Sequence, residues 1–276
     1  MAQNRTFILG VGAQKSGTTW LYKYLDSYAG VDAGFTKEYH IWDALHSADC
    51  NKFRLSWRET LRSSVKRKRR RMQKNTDVYF DYFADILDSD RTHFALDITP
   101  SYAVLDSKVF KQIIGGFRKR DVHCKVVFLM RDPVERCWSC VRMHKKIKNT
   151  KEPVINNFVS EEQAVIEYSQ SRHAHLRTRY DKTINELEKA FAIKDIYVGV
   201  YEELMSEQGI ENISKFVGIE PNQGYAKVTV NTSPKTTILS DEARRLVANE
   251  YKPVYEMIAE KFPQTKSLWA GNEYIP

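Results

Sequence analysis

The 276-residue sequence has no run approaching the roughly 18 apolar residues of a membrane-spanning helix. Its start, Met1-Ala-Gln-Asn-Arg-Thr, runs straight into a strand pattern and not into the apolar core of a secretion signal. A cytoplasmic protein without a transmembrane segment is expected. Cysteine is scarce: Cys50, Cys124, Cys137 and Cys140 are too few for a disulfide framework. The Cys137-Trp-Ser-Cys140 pair has no second pair at zinc-ribbon spacing and no thioredoxin-like context, so reduced, packed thiols and no metal site are expected. Asn4, Asn212 and Asn231 match the N-glycosylation pattern without a secretory context. No internal repeat is present. Charge of one sign is also missing from most of the chain. The net charge is +8, but residues 58–74 hold nine Lys/Arg against one acid, Glu59, and the remainder is neutral. A global basic field of the nucleic-acid-binding kind is thereby excluded, and the pI of 9.1 reflects one local feature.

What is there is enough to fold. With 42% hydrophobic residues the chain excludes disorder, and its length fits one large or two small domains. Thr6–Gly12, Phe94–Ile98, Lys125–Met130 and Ile196–Tyr201 read as buried strands. Helical spacing follows at Trp20, Leu21, Tyr24, Leu25 and Tyr28, with Gly30 as a stop, and again over Ser107–Arg118, Val134–Ile147, Glu161–Phe191, Glu202–Val217 and Asp241–Phe262. Such alternation predicts a parallel α/β sheet flanked by helices. Residues 50–90 interrupt it with a polar, basic helical pattern. No Pro/Gly/Ser linker flanks them, so they read as an insertion in a single domain spanning 1–276.

Between the first strand and its helix stands Gly12-Ala-Gln-Lys15-Ser16-Gly17-Thr18-Thr19-Trp20. The amides of such a turn, with the positive end of the following helix, make an anion site. Its spacing approaches the Walker pattern, but Thr18 occupies the lysine slot and Lys15 stands three residues earlier, which suits a shorter anion than a nucleoside triphosphate tail.

These residues resemble the family of sulfotransferases that use 3′-phosphoadenosine-5′-phosphosulfate (PAPS). In that resemblance Lys15 contacts the sulfuryl group and bridging oxygen, Ser16, Gly17, Thr18 and Thr19 hold the 5′-phosphate, and Trp20 stacks on adenine, with packing into the helix core as the alternative for Trp20. A second block, Val126-Val-Phe-Leu-Met-Arg131-Asp-Pro-Val-Glu-Arg136-Cys-Trp-Ser139, is a strand ending in arginine followed by Pro133 at a helix start. The resemblance assigns Arg131 and Ser139 to the 3′-phosphate. A Walker B strand would end in Asp, whereas Asp132 follows the arginine. Val198-Gly-Val-Tyr201-Glu-Glu-Leu204 with Phe216-Val-Gly218 resembles the strand whose tyrosine lies near adenine. In the late Ser233-Pro-Lys235-Thr-Thr segment only Lys235 matches the basic loop over the 3′-phosphate. The implied fold is P-loop-type, the co-substrate PAPS, the product PAP, with no metal.

On the acceptor side, Thr36-Lys37-Glu38-Tyr39-His40-Ile-Trp42-Asp43 resembles the Glu-x-His block of the glycan-modifying branch, which offers Glu38 as the base for an acceptor hydroxyl, with His40 sharing or replacing it. Asp97-Ile98-Thr99-Pro100-Ser101-Tyr102 corresponds to a run in which the family has lysine where Ile98 stands. That replacement favours a smaller or less acidic acceptor, while the basic run Lys66–Arg71, unless it is only a solvated face, favours an anionic one. The insertion is expected to border the acceptor entrance. Two other functions fit the same residues: a P-loop nucleotide kinase or ATPase, and an anionic-surface binding module acting through residues 58–74.

Overall fold

In a computed structural model, which describes residues 5–146, 160–228, 230 and 237–275, five parallel strands form one sheet. They are β1 (Thr6–Gly12), β2 (Val31–Asp32), β3 (Phe94–Ile98), β4 (His123–Met130) and β5 (Ile196–Val200), in the order β2-β3-β1-β4-β5. The short edge strand β2 lies between Gly30 and the acceptor block; two residues are too few to show a period. β1 sits at the centre, pairing Phe7 with Ala95 of β3 and with Cys124 of β4. Every residue of β1 is buried. Its alternate side chains feed two layers, as the period-2 geometry of a strand requires. Phe7, Leu9 and Val11 face one core with Val126, Phe128 and Met130, whereas Ile8 faces a second with Leu96, Ile98, Val127 and Leu129.

Helices cover both faces. The second core is closed by α1 (Thr18–Asp26) through Trp20, Leu21, Tyr24 and Leu25. On the first, the helices of the insertion, α3 (Ser64–Lys74) and α4 (Asp77–Leu87), meet α5 (Ser107–Arg118) and α6 (Pro133–Lys146), with the short α2 (Trp42–His46) beside them. Phe7 stacks on Phe117 at 4.1 Å between ring centroids and packs on Phe83 at 4.7 Å. Truncating such a buried aromatic to alanine costs about 3–5 kcal/mol.

Three long helical patterns are broken. Glu161–Phe191 forms α7 (Glu161–Gln170), α8 (Arg172–Thr178) and α9 (Tyr180–Glu188). Ser171 leaves the helical conformation, and its hydroxyl accepts the Ala174 amide at 3.1 Å, a capping bond that competes with helix continuation. Glu202–Val217 becomes α10 (Tyr201–Leu204) and α11 (Glu207–Val217), divided in the same way at Ser206, which accepts the Gly209 amide at 3.0 Å. Asp241–Phe262 becomes α12 (Asp241–Glu250) and α13 (Lys252–Lys261), divided at Tyr251 ahead of Pro253, which has no amide hydrogen to continue the helix to the Asn249 carbonyl. The remaining short helix is α14 (Thr265–Leu268). All four cysteines are free and buried, and among the described residues no helix is long and apolar enough to cross a membrane.

Candidate active site

A cavity of about 400 Å³ opens at the carboxyl ends of β1, β3, β4 and β5. Crevices of parallel sheets form there because the chain leaves adjacent strands in opposite directions; here β3 and β4 flank β1. Lys15, Gly17, Thr18, Thr19 and Trp20 line it from the turn after β1, Arg131 and Ser139 from the turn after β4 and from α6, and Tyr201 from the end of β5. Glu38 and His40 line the opposite end. Ser16 is buried within the same turn. Lys235 lies outside the described residues.

The turn is shaped by two positive φ angles. Gly17 (φ 90°) starts α1 without a side-chain cap, so the first-turn amides remain free to meet an anion. A Cβ on Gly17 would lie 2.8 Å from Leu204 Cδ2 and 3.0 Å from Tyr201 Cδ2, so only glycine lets β5's end close on the loop. Lys15 itself holds φ 72°, a left-handed conformation that costs a non-glycine residue about 1–3 kcal/mol. Burial, aided by the charges of Arg131, Arg142 and Arg136 and opposed by Cys140, pushes the Lys15 ammonium below the usual lysine range. Arg131 donates from Nη1 to the Lys15 carbonyl at 3.4 Å, pairs with Glu135 at 3.3 Å and lies over the Tyr201 ring at 4.4 Å. Its Nε is buried without a partner, as are Nε and Nη1 of Arg142, one turn beyond Ser139.

The acceptor end is organised differently. Glu38 and His40 form an ion pair (Oε2 to Nε2, 3.3 Å), and His40 Nδ1 lies 2.7 Å from Asp43 Oδ2. Ser101 donates to the same Asp43 oxygen at 2.5 Å. Lys37 Nζ donates to Glu38 Oε1 at 3.0 Å and to Thr19 Oγ1 at 3.1 Å, bridging this cluster to the phosphate turn. Partial burial opposes ionisation of Glu38, but the His40 hydrogen bond and the Lys37 charge outweigh it and hold its carboxyl at about 2. Burial likewise opposes the His40 cation, yet the hydrogen bonds of Asp43 and Glu38 raise its pKa. Glu38 is therefore ionised at neutral pH, and its neighbours favour the His40 cation.

His40 is held at φ 51°. The amides on either side explain how: Tyr39 N donates to Thr99 Oγ1 (2.9 Å) and Ile41 N to the Tyr102 hydroxyl (3.1 Å). Thr99, Tyr102 and Tyr79 in turn donate to the fully buried Asp97 at 2.6, 2.9 and 2.9 Å. Burial pushes the Asp97 carboxyl up to about 6 against those three bonds. Asp97 is thus the anchor of the acceptor loop. Phe53 stacks on the His40 ring at 3.6 Å, and Gln73 of α3 donates to the His40 and Phe53 carbonyls at 2.8 and 2.9 Å, tying the insertion to the same segment.

Over residues 5–238 the sequence matches the family model of the sulfotransferase domain. The chain belongs to the sulfotransferase family. Among solved structures, this sulfotransferase is similar to a sulfotransferase from Alicyclobacillus acidocaldarius, with a TM-score of 0.58, 14% identity, and coverage of 95% of this chain and 97% of that one. A mouse sulfotransferase, SULT7A1, complexed with PAP, matches with a TM-score of 0.48 and 14% identity over 99% of this chain and 89% of that one. No curated protein matches it.

Two expectations about this sulfotransferase change. Ile98 does not face the cavity: it is fully buried in the second core with Ile8 and Trp20, so its apolar character says nothing about acceptor charge. The cation at that end comes from Lys37, adjacent to Glu38 in sequence. Trp20 combines both readings, stacking on Tyr24 at 5.1 Å between ring centroids within the core while lining the cavity. Sequence reasoning missed Asp43 and Ser101, which were legible only as neighbours of motif residues. It also missed Arg177 and Arg142, which had no local signal. Arg177, on α8, is buried against the cavity, donates to the His173 carbonyl at 3.1 Å and makes no ion pair among the described residues.

Proposed function

We propose that this sulfotransferase moves a sulfuryl group from PAPS to an acceptor hydroxyl by in-line displacement, with PAP as the product. The carrying observation is the division of one cavity into an end lined by the cations Lys15 and Arg131 and a carboxylate-bearing end at Glu38. The chain's residues fit a nucleotide of this charge: the buried, unpartnered Nε of Arg131 and the uncapped start of α1 are donors that a polyanion completes. Bound there, PAPS supplies an activated sulfuryl group on a phosphate leaving group.

In this reading Ser16, Gly17, Thr18 and Thr19 hold the 5′-phosphate, Arg131 and Ser139 hold the 3′-phosphate, and Trp20 and Tyr201 flank the base. Arg142 adds positive charge that reaches Lys15 without lining the cavity, and Lys235 is assigned to the 3′-phosphate by the sequence resemblance alone. Lys15 stabilises charge developing on the bridging oxygen. Glu38 takes the acceptor proton: its side chain is 39% exposed and ionised, and its oxygens, though held by Lys37 and His40, each keep a lone pair, whereas both His40 ring nitrogens are fully engaged. His40 is then a positioning residue, held between Glu38 and Asp43. Arg177 at the acceptor end supports an acceptor carrying an anionic group.

The test is transfer of label from PAPS across a panel of acceptor hydroxyls, neutral and anionic, with PAP binding followed by calorimetry. PAP binding with label transfer supports the reading. Magnesium-dependent ATP turnover without PAP affinity overturns it in favour of a kinase or ATPase.

A further inference from the structure

Apolar side chains and basic charge meet on the outer side of the insertion. Trp57, Leu61 and Val65 are 57%, 62% and 38% exposed, and with Ile193, Ile238 and Leu246 they make up the large exposed apolar side chains of the described residues. Half of these therefore fall within nine consecutive positions, whereas the other three are scattered singly, which is ordinary for a protein surface. Trp57 and Leu61 flank a 3₁₀ turn over Arg58–Thr60, and both have helical backbone angles. Arg67 of α3 donates from Nη1 to the Thr60 and Leu61 carbonyls at 3.2 and 3.3 Å, fixing that turn against the helix whose first turn carries Val65.

The charge around these three side chains is predominantly positive. Arg58, Arg62, Lys66, Arg71 and Lys74 are exposed, and the Arg58 guanidinium lies over the Trp57 ring at 5.6 Å. Glu59, the single acid of residues 58–74, is occupied: its Oε2 accepts from the Ser56 amide and hydroxyl at 2.8 and 2.7 Å. Arg69, by contrast, is half-buried, with Nε and Nη2 enclosed, and does not belong to the outer surface.

We infer that residues 57–74 form a docking surface for an anionic lipid bilayer. Lysine and arginine snorkel to lipid phosphates and carboxylates while a tryptophan and two aliphatic side chains enter the headgroup boundary, a combination in which neither component alone gives firm binding. A nucleic acid would use the same cations but would leave Leu61 and Val65 without a role. The inference does not depend on the transfer chemistry. Because Gln73 of the same helix holds the His40 carbonyl, docking here would place the acceptor end of the cavity near the lipid surface.

Flotation of the whole chain with vesicles of phosphatidylcholine alone, and of phosphatidylcholine with phosphatidylserine, tests this at low and physiological salt. Binding is expected only to the serine-containing vesicles and falls with salt. Trp57→Glu with Leu61→Glu should weaken it at least about tenfold. Arg62→Gln, Lys66→Gln and Arg71→Gln together should weaken it about 100-fold, at about fivefold per cation. All these side chains are exposed, so unchanged thermal melting is the check on folding. Absence of binding to anionic vesicles, binding unaltered by the Trp57 and Leu61 changes, or binding to single-stranded RNA but not to vesicles overturns the inference.

Discussion

The two ends of the cavity are built on opposite electrostatic plans. At the phosphate end, Lys15 and Arg131 line the cavity within the field of Arg142, Arg131 pairs with Glu135, and buried donors are left unused. At the acceptor end, Glu38, His40, Asp43 and Ser101 close a hydrogen-bonded chain among themselves, and Asp97 anchors the loop beneath. The difference teaches which end needs its ligand. Converging cations destabilise the free protein and are relieved by a bound polyanion, whereas a closed network stabilises the loop before any substrate arrives.

Substitutions should therefore separate the two ends. The largest effect is expected for Glu38→Gln, which keeps size and removes the base. The chemical step should slow by about 10²–10⁴ with PAP affinity nearly unchanged, as single-turnover kinetics would show. An intact rate in Glu38→Gln together with a collapse in His40→Ala would move the base to His40. Lys15→Ala should lower turnover by about 10²–10³ while PAP still binds through the loop amides and Arg131. Survival of turnover within about tenfold, near 1.4 kcal/mol of barrier, would remove Lys15 from the transfer step.

Arg142→Gln is expected to cost about 3- to 10-fold in PAP affinity, since it removes a charge that acts on Lys15 without lining the cavity. It should leave the melting temperature of the free protein nearly unchanged, because two buried nitrogens without hydrogen-bond partners are removed while the contact of the guanidinium with the Trp138 ring is lost. A lowered melting temperature with unaltered PAP affinity would make Arg142 a packing residue and blur the contrast between the ends. The smallest effect concerns pH. Asp43 and Glu38 raise the His40 pKa, so the stability this cation contributes is complete below about 6.5, its value in the unfolded chain. It is lost as pH rises through the higher folded value. Asp43→Asn should lower the His40 pKa and move the alkaline limb of kcat to lower pH, read from a pH–rate profile beside the NMR titration of the ring. An alkaline limb that stays in place would leave Asp43 with a structural role only.

The parallel sheet was legible because its strands are short, predominantly apolar and separated by helical spacing; β1 and β3 fall on their expected residues. The phosphate turn was legible because its chemistry lies in consecutive residues. The breaks at Ser171, Ser206 and Tyr251 were not, since amphipathic spacing continues across them while a capping hydroxyl or a following proline ends the helix locally. Ile98 misled for a related reason: strand alternation turns its side chain into the second core, which a motif comparison without faces does not show.

The sequence alone determined the α/β class, the loop with its displaced Lys15, the strand-end Arg131, and the confinement of the net charge to residues 58–74. These follow from local spacing, which the backbone periods translate directly into structure. Tertiary structure decided which cations lack partners, that Lys37 and not residue 98 accompanies Glu38, and that Asp97 holds His40 through Thr99 and Tyr102. It also brought Arg177 of α8 and Phe53 of the insertion to one cavity wall. Those relations join residues far apart in the chain. They exist only once packing of the helices on the sheet has fixed side-chain distances and excluded water, because burial and proximity set both the hydrogen bonds and the charge states.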